Sequence, residues 1–337
     1  MHFASRRAGA VLVLLMSCFG ASGQSRRNDH LVYKKKYIMG TVFEIAAYGP
    51  SAQQISTAIE NAFREIVRID DLLSNYKPES ALSVLNRSAH FHAERVPPEL
   101  YSVIEQAVHF SRISDGRFDI TVAPLVNLWK AALAGDSTPS PAQQHEALAC
   151  VGYDKLELTP PDQVTFHSPC LQLDLGAIGK GYATDRAADV LRSSGVHDAF
   201  ISAGGSTILA LGSPPGQTAW LVHLRDPSHR ADPYIMLTNG SVSTSEQTAA
   251  TLLGRDSPGH IIDPSSGRPL ESQFAVSVVA PTATMSDGLS TTLLLLGPEQ
   301  GKPLIKQTPN TSSVWVSATA QIETATNGRQ ILFGGKL

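Results

Sequence analysis

Residues 282–297 read TATMSDGLSTTLLLLG, a head of hydroxyls and one carboxylate that runs directly into an apolar segment. The apolar run suits one helix, and Gly297 supplies its stop signal. Asp287 and Thr291 stand four residues apart, which on a helix puts both side chains on one face, one turn from each other. Two readings of the pair are open. Thr284 followed by Asp287 is a capping-box-like pattern, with a carboxylate where the helix dipole favours it. Two oxygens converging from one face are also where a hard cation would sit.

The 337 residues, 42% of them hydrophobic, suffice for one large domain or two intimate lobes around a buried core. A net charge of -3, from 27 basic and 30 acidic side chains, supplies neither a basic field for nucleic acid nor an acidic tail. Residues 1–23 read as an export signal: Arg6 and Arg7, the apolar run AVLVLLMSCF at 10–19, then ASG before Gln24. That run is too short for a permanent membrane span. LMSC at 15–18 resembles a lipobox that would lipidate Cys18, whereas ASG suits ordinary signal cleavage, and both forms are open. In an oxidising compartment Cys150 and Cys170 form an even pair, either a disulfide or two buried thiols. Residues 24–337 are then the working domain.

Along that domain, alternation from Tyr37 to Tyr48 predicts a strand with a turn at Gly49-Pro50. Apolar residues at helical spacing from Ile55 to Leu73 predict a long amphipathic helix, and Pro97-Pro98 opens a second one reaching Ile113. Residues 135–142 read as a loop, and LELTPPDQVTFHSPCLQLDLG as short strands. A helix spans 184–194 with Gly195 as its stop, and further strands lie in FISAGGSTILALG, WLVHLRDP, FAVSVVAP and SSVWVSA. Without regular strand-helix alternation the pattern favours α+β, with mixed sheets and flanking helices. No GxGxxG fingerprint follows a first strand, so a Rossmann site is not expected.

Three more stretches carry chemistry. In LDLGAIGKGYATDRAADVL, three glycines within six residues surround Lys180 ahead of a helix, an arrangement that can cradle phosphate or simply turn the chain. GHIIDPSSGRP offers His260 as a general base, against the commoner reading of a lone surface or core histidine. SDGRFDITVAPLVNLW sets Asp119 and Thr121 among apolar residues, where a turn leading into core is the plain alternative.

Taken together, MGT at 39–41, LSNY at 73–76, SDGRFDITVAPLV, LDLGAIGKGYATD, AGGS, HIIDPSSG and SDGLSTTLLLLG resemble, in order, the ApbE family of FAD:protein FMN transferases. The resemblance implies two intimate lobes with an FAD site in the cleft between them. It implies a periplasmic enzyme that uses Mg2+ and moves the FMN part of FAD to a Thr or Ser hydroxyl of a target protein, releasing AMP. Family targets are subunits of membrane redox complexes and flavin-carrying domains. Carried over residue by residue, the magnesium ligands fall on the Ala177 backbone oxygen, Asp287 and Thr291. The flavin-nucleotide contacts fall on Met39, Tyr76, Phe118, Asp119, Ile120, Asp174, Lys180 and Ile261, and the catalytic histidine on His260. The chain departs from the family pattern at Ser266, usually Thr, at Ser206, usually acidic or amide, and at Glu246-Gln247, where a glycine and then an aromatic are usual. Two other classes stay open: an FAD pyrophosphatase yielding FMN and AMP, and a non-catalytic periplasmic flavin binder.

Overall fold

The computed structural model describes residues 29–135, 137–247, 261–328 and 333–334, so the export segment and His260 lie outside the described residues. Eight strands make one sheet whose spatial order follows the chain: His30–Ile38, Thr41–Gly49, Asp198–Ala203, Thr207–Leu211, Gly240–Glu246, Phe274–Ala280, Thr311–Ser317 and Ile322–Asn327. Every neighbouring pair is antiparallel. Smaller sheets decorate this meander, among them the hairpin of Ile262–Asp263 with Arg268–Pro269.

The sheet has a core on each face, and the period of two along a strand assigns side chains between them. In Thr311–Ser317, Trp315 enters the core beneath the helices, while Val314 and Val316 enter the second. In Asp198–Ala203, Ala199, Ile201 and Ala203 take the helical side and Phe200 the other. Strands buried on both faces read as continuous apolar runs, which is why FISA and SVVA showed little alternation.

The helical layer includes Ala52–Leu73, Pro98–Ile113, Gly179–Ser193 and Ala283–Gln307. The first is amphipathic as its spacing predicts: Ile55, Ile59, Phe63, Ile66, Ile69 and Leu73 are all buried. Each such side chain stabilises the fold by about 1.5–3 kcal/mol, so Phe63→Ala alone would cost about 3–5 kcal/mol. The fourth helix breaks at Gly297, whose φ of 68° is left-handed, so the stop read from the sequence is a kink between two helical segments. A disulfide joins Cys150 to Cys170.

Some elements differ from expectation. The strand anticipated at 37–48 is a hairpin that turns at Met39-Gly40, where Ile38 pairs with Thr41. Both turn residues have positive φ, 53° and 71°, the geometry of a type I′ turn. A two-residue turn interrupts the alternation too briefly to register, and methionine is not a usual signal there. The helix expected from Thr184 begins at Gly179, so the glycine-rich stretch is its first turn. Ala81–Ser88 and Ala123–Ala134 are helices that the spacing did not reveal, and Pro141 opens another that runs to Cys150.

Candidate active site

A cavity of about 530 Å³ opens where the Met39-Gly40 turn, the Gly179–Ser193 helix start and the Ala283–Gln307 helix meet. Its size is that of a cofactor pocket. Every residue carried over from the family resemblance lines it except His260, which lies outside the described residues: Met39, Tyr76, Phe118, Asp119, Ile120, Asp174, Ala177, Lys180, Ile261, Asp287 and Thr291.

Asp287 sits at the floor. Its carboxylate does not cap its own helix, as the capping-box pattern suggested. That task falls to Thr282, whose hydroxyl accepts from the Met285 N–H at 3.2 Å. Asp287 instead reaches across to the neighbouring helix, where Oδ2 accepts from the Gly181 N–H at 2.8 Å, and Oδ1 accepts from the Thr207 hydroxyl at 3.0 Å. The close approach requires Gly181: a Cβ there would lie 2.3 Å from the Ala283 carbonyl oxygen and 2.7 Å from the Asp287 Cβ. Burial pushes the Asp287 carboxyl above the usual aspartate range, and the charge of Lys180, whose Nζ is 4.0 Å from Oδ2, pulls the other way.

Thr291, one turn on, is held from the sheet. Ser241, Ser243 and Ser245 face the helix from alternate positions of Gly240–Glu246. The Ser286 hydroxyl lies 2.8 Å from those of both Ser241 and Ser243, and the Ser245 hydroxyl lies 2.8 Å from Ser290 and 3.1 Å from Thr291. A buried seam of satisfied hydroxyls fixes helix register more sharply than apolar contacts would, because a slip strands several polar groups at once.

The remaining walls are built from loops. Met39 adopts the left-handed conformation without being glycine, a strain of about 1–2 kcal/mol placed at the cavity edge. The Asp119 carboxylate is committed to structure: it accepts from the Thr121 N–H at 2.8 Å, the Thr121 hydroxyl at 2.7 Å and the Tyr153 N–H at 2.9 Å. Burial also raises its pKa. Asp174 accepts from the Gly176 N–H at 2.7 Å, fixing the turn that carries Ala177. Tyr76 is 79% exposed at the mouth, where the Lys130 ammonium donates to its hydroxyl at 2.7 Å.

Several residues in or beside the site escaped the sequence reading. Lys130 lies on Ala123–Ala134, a helix that the spacing did not reveal. Arg225 lines the cavity with its guanidinium 3.4 Å from the Glu246 carboxylate. Gln247, the companion departure, is buried and fully engaged. Its amide donates to the Ile261 and Leu270 carbonyls at 2.8 and 2.7 Å, and its oxygen accepts from the Ile261 N–H at 2.9 Å. Glutamine at a strand end gives no sequence signal for such a clamp.

A helix-layered antiparallel sheet with an acidic group, a lysine and a helix start around one cavity defines the class, and a profile of the ApbE family matches residues 39–315. The chain belongs to that family. It is similar to the FAD:protein FMN transferase of Salmonella typhimurium, 30% identical over 311 residues and covering 88% of each chain. The Treponema pallidum FAD:protein FMN transferase is 27% identical over 331 residues, covering 92% of this chain and 90% of that one. The apo crystal structure of Pseudomonas stutzeri flavinyl transferase ApbE, 27% identical, matches with a TM-score of 0.74 over 89% of this chain and 95% of that one.

Proposed function

We propose that this chain is an FAD:protein FMN transferase: with Mg2+, it moves the FMN part of FAD to a Thr or Ser hydroxyl of an acceptor protein and releases AMP. The observation that carries the reading is the buried Asp287 carboxylate at the floor of a nucleotide-sized cavity, with Lys180 and Thr291 beside it. Among the described residues no group of three or more His, Cys, Asp or Glu side chains could hold a metal ion. The donors at hand are a carboxylate, a hydroxyl and the Ala177 carbonyl, an all-oxygen set that suits Mg2+, which keeps waters and shares substrate phosphate oxygens. Burial raises the Asp287 pKa, and a cation beside the carboxylate would favour its charged form.

Bound there, Mg2+ would neutralise charge that develops on the pyrophosphate. Lys180 would hold the phosphates, and Tyr76, Phe118, Ile120 and Ile261 would bound the rings; the Gly179 and Gly181 N–H groups of the helix start are already committed, to the Leu175 carbonyl and to Asp287. The acceptor oxygen attacks the phosphorus on the FMN side, the anhydride bond breaks, and the bridging oxygen leaves with AMP. We assign the hydroxyl proton to His260. The nucleophile belongs to the acceptor, so this chain needs none. The export signal at 1–23 supports a periplasmic site of action, either secreted or anchored through Cys18.

Incubation of the mature protein with FAD, Mg2+ and a candidate flavin-carrying domain tests the reading. Covalent flavin on the acceptor is the expected result. Free FMN with AMP would instead indicate a pyrophosphatase, and unchanged FAD a binding protein.

A further inference from the structure

Asp185, on the Gly179–Ser193 helix, lies one turn beyond Gly181, just as Asp287 lies one turn beyond Ala283 on the other helix. Its Oδ1 accepts from the Ala283 N–H at 2.7 Å, and its Oδ2 accepts from the Thr284 N–H at 2.8 Å and the Thr284 hydroxyl at 2.5 Å. With Thr282 accepting from Met285 through its hydroxyl and from Ser286 through its carbonyl, the first four N–H groups of that helix are all satisfied. The two helices therefore exchange carboxylates. Asp287 of one takes an N–H in the first turn of the other, and Asp185 of the other takes two N–H groups in the first turn of the one.

We propose that Asp185 is a positioning residue for the cation, an inference that rests on the reading of Asp287 and Thr291 as its ligands. A two-point clamp fixes both the slide and the rotation of one helix on the other, whereas the Gly181–Asp287 contact alone leaves a pivot. Asp287 stands one turn, and Thr291 two turns, from the N–H groups that Asp185 holds, so the clamp sets where both oxygens point. Outer-shell partners of metal ligands commonly change affinity by about 10–100-fold when lost.

The test uses the full mature chain, with Mn2+ as the probe, titrated by the loss of its free-ion EPR signal in the presence of FAD. Asp185→Ala is expected to weaken Mn2+ binding by about 10-fold or more, while FAD affinity without metal, read by flavin fluorescence, stays within about two-fold. Thr284→Val removes only the hydroxyl contact and should weaken Mn2+ binding by a smaller factor. It also serves if the alanine variant does not fold. Lowered thermal stability with unchanged Mn2+ affinity in both foldable variants would overturn the proposal and leave Asp185 a structural cap. Failure of the wild-type chain to bind Mn2+ would instead overturn the ligand reading on which the proposal rests.

Discussion

Replacing Gly181 with alanine would place a methyl group 2.3 Å from the Ala283 carbonyl oxygen and 2.7 Å from the Asp287 Cβ. Neither neighbour can yield alone, since one is helix backbone and the other the base of the buried Asp287 side chain. Relief needs the helices to part by about 1 Å, and a shift of that size breaks the 2.8 Å hydrogen bond from the Gly181 N–H to Asp287. Overpacking costs about 1–3 kcal/mol and the lost charge-assisted bond about 1.5–3 kcal/mol, while alanine's better helix propensity returns about 1 kcal/mol. The net is about 1.5–5 kcal/mol. A fall in Tm of roughly 3–15 °C follows, at about 2–3 °C per kcal/mol for a domain of this size. The displacement also moves the floor of the cavity, so Mg2+-dependent turnover should fall well beyond the loss in folded fraction. Thermal melting and turnover at a temperature where the variant is folded give the two readouts. A variant with unchanged Tm and turnover would refute the packing argument and, with it, the claim that this contact sets the position of Asp287.

Asp287→Asn is expected to abolish metal-dependent turnover yet leave the metal-free chain as stable as wild type or more so, because it removes a buried charge. The folded pKa of Asp287 is raised, so wild type loses stability as pH rises from the unfolded aspartate value through the folded one, and the Tm advantage of the variant in EDTA should grow over that rise. Gln247→Leu strands the Ile261 N–H and the Leu270 carbonyl, and denaturant unfolding should show a loss of about 2–4 kcal/mol. Reduction of Cys150–Cys170, separated by 20 residues, should cost about 3 kcal/mol by loop closure, read as a lower Tm in reductant. His260→Ala should lower turnover without changing FAD affinity; an unaltered rate would remove it as the base.

What could be read from the sequence followed from residues whose effect is local. Ile55 through Leu73 announced their helix because 3.6-residue spacing is set by that segment alone, and Gly297 marked the break in Ala283–Gln307 because few other residues favour a positive φ. Strands buried on both faces, such as Phe274–Ala280, could be located but not oriented. Asp287 and Thr291 were visible as a pair, yet the partners that hold them, Gly181, Thr207 and Ser245, come from distant parts of the chain. Capping was misassigned for the same reason. Thr284 is occupied by Asp185, which is 99 residues away, and Thr282 is left as the cap. The clamp made by Gln247 and the ion pair of Arg225 gave no signal, because contacts made across the fold have no spacing to betray them.

In the proposed reaction the phosphorus on the FMN side passes to a protein oxygen at the Asp287 floor. Single-turnover analysis with FAD, Mg2+ and an acceptor domain tests it most directly, by measuring AMP released against flavin retained on denatured acceptor. One AMP per covalent flavin, abolished by EDTA and by Asp287→Asn, is the predicted result. AMP formed without covalent flavin, or covalent flavin that persists in the Asp287→Asn variant, would contradict it.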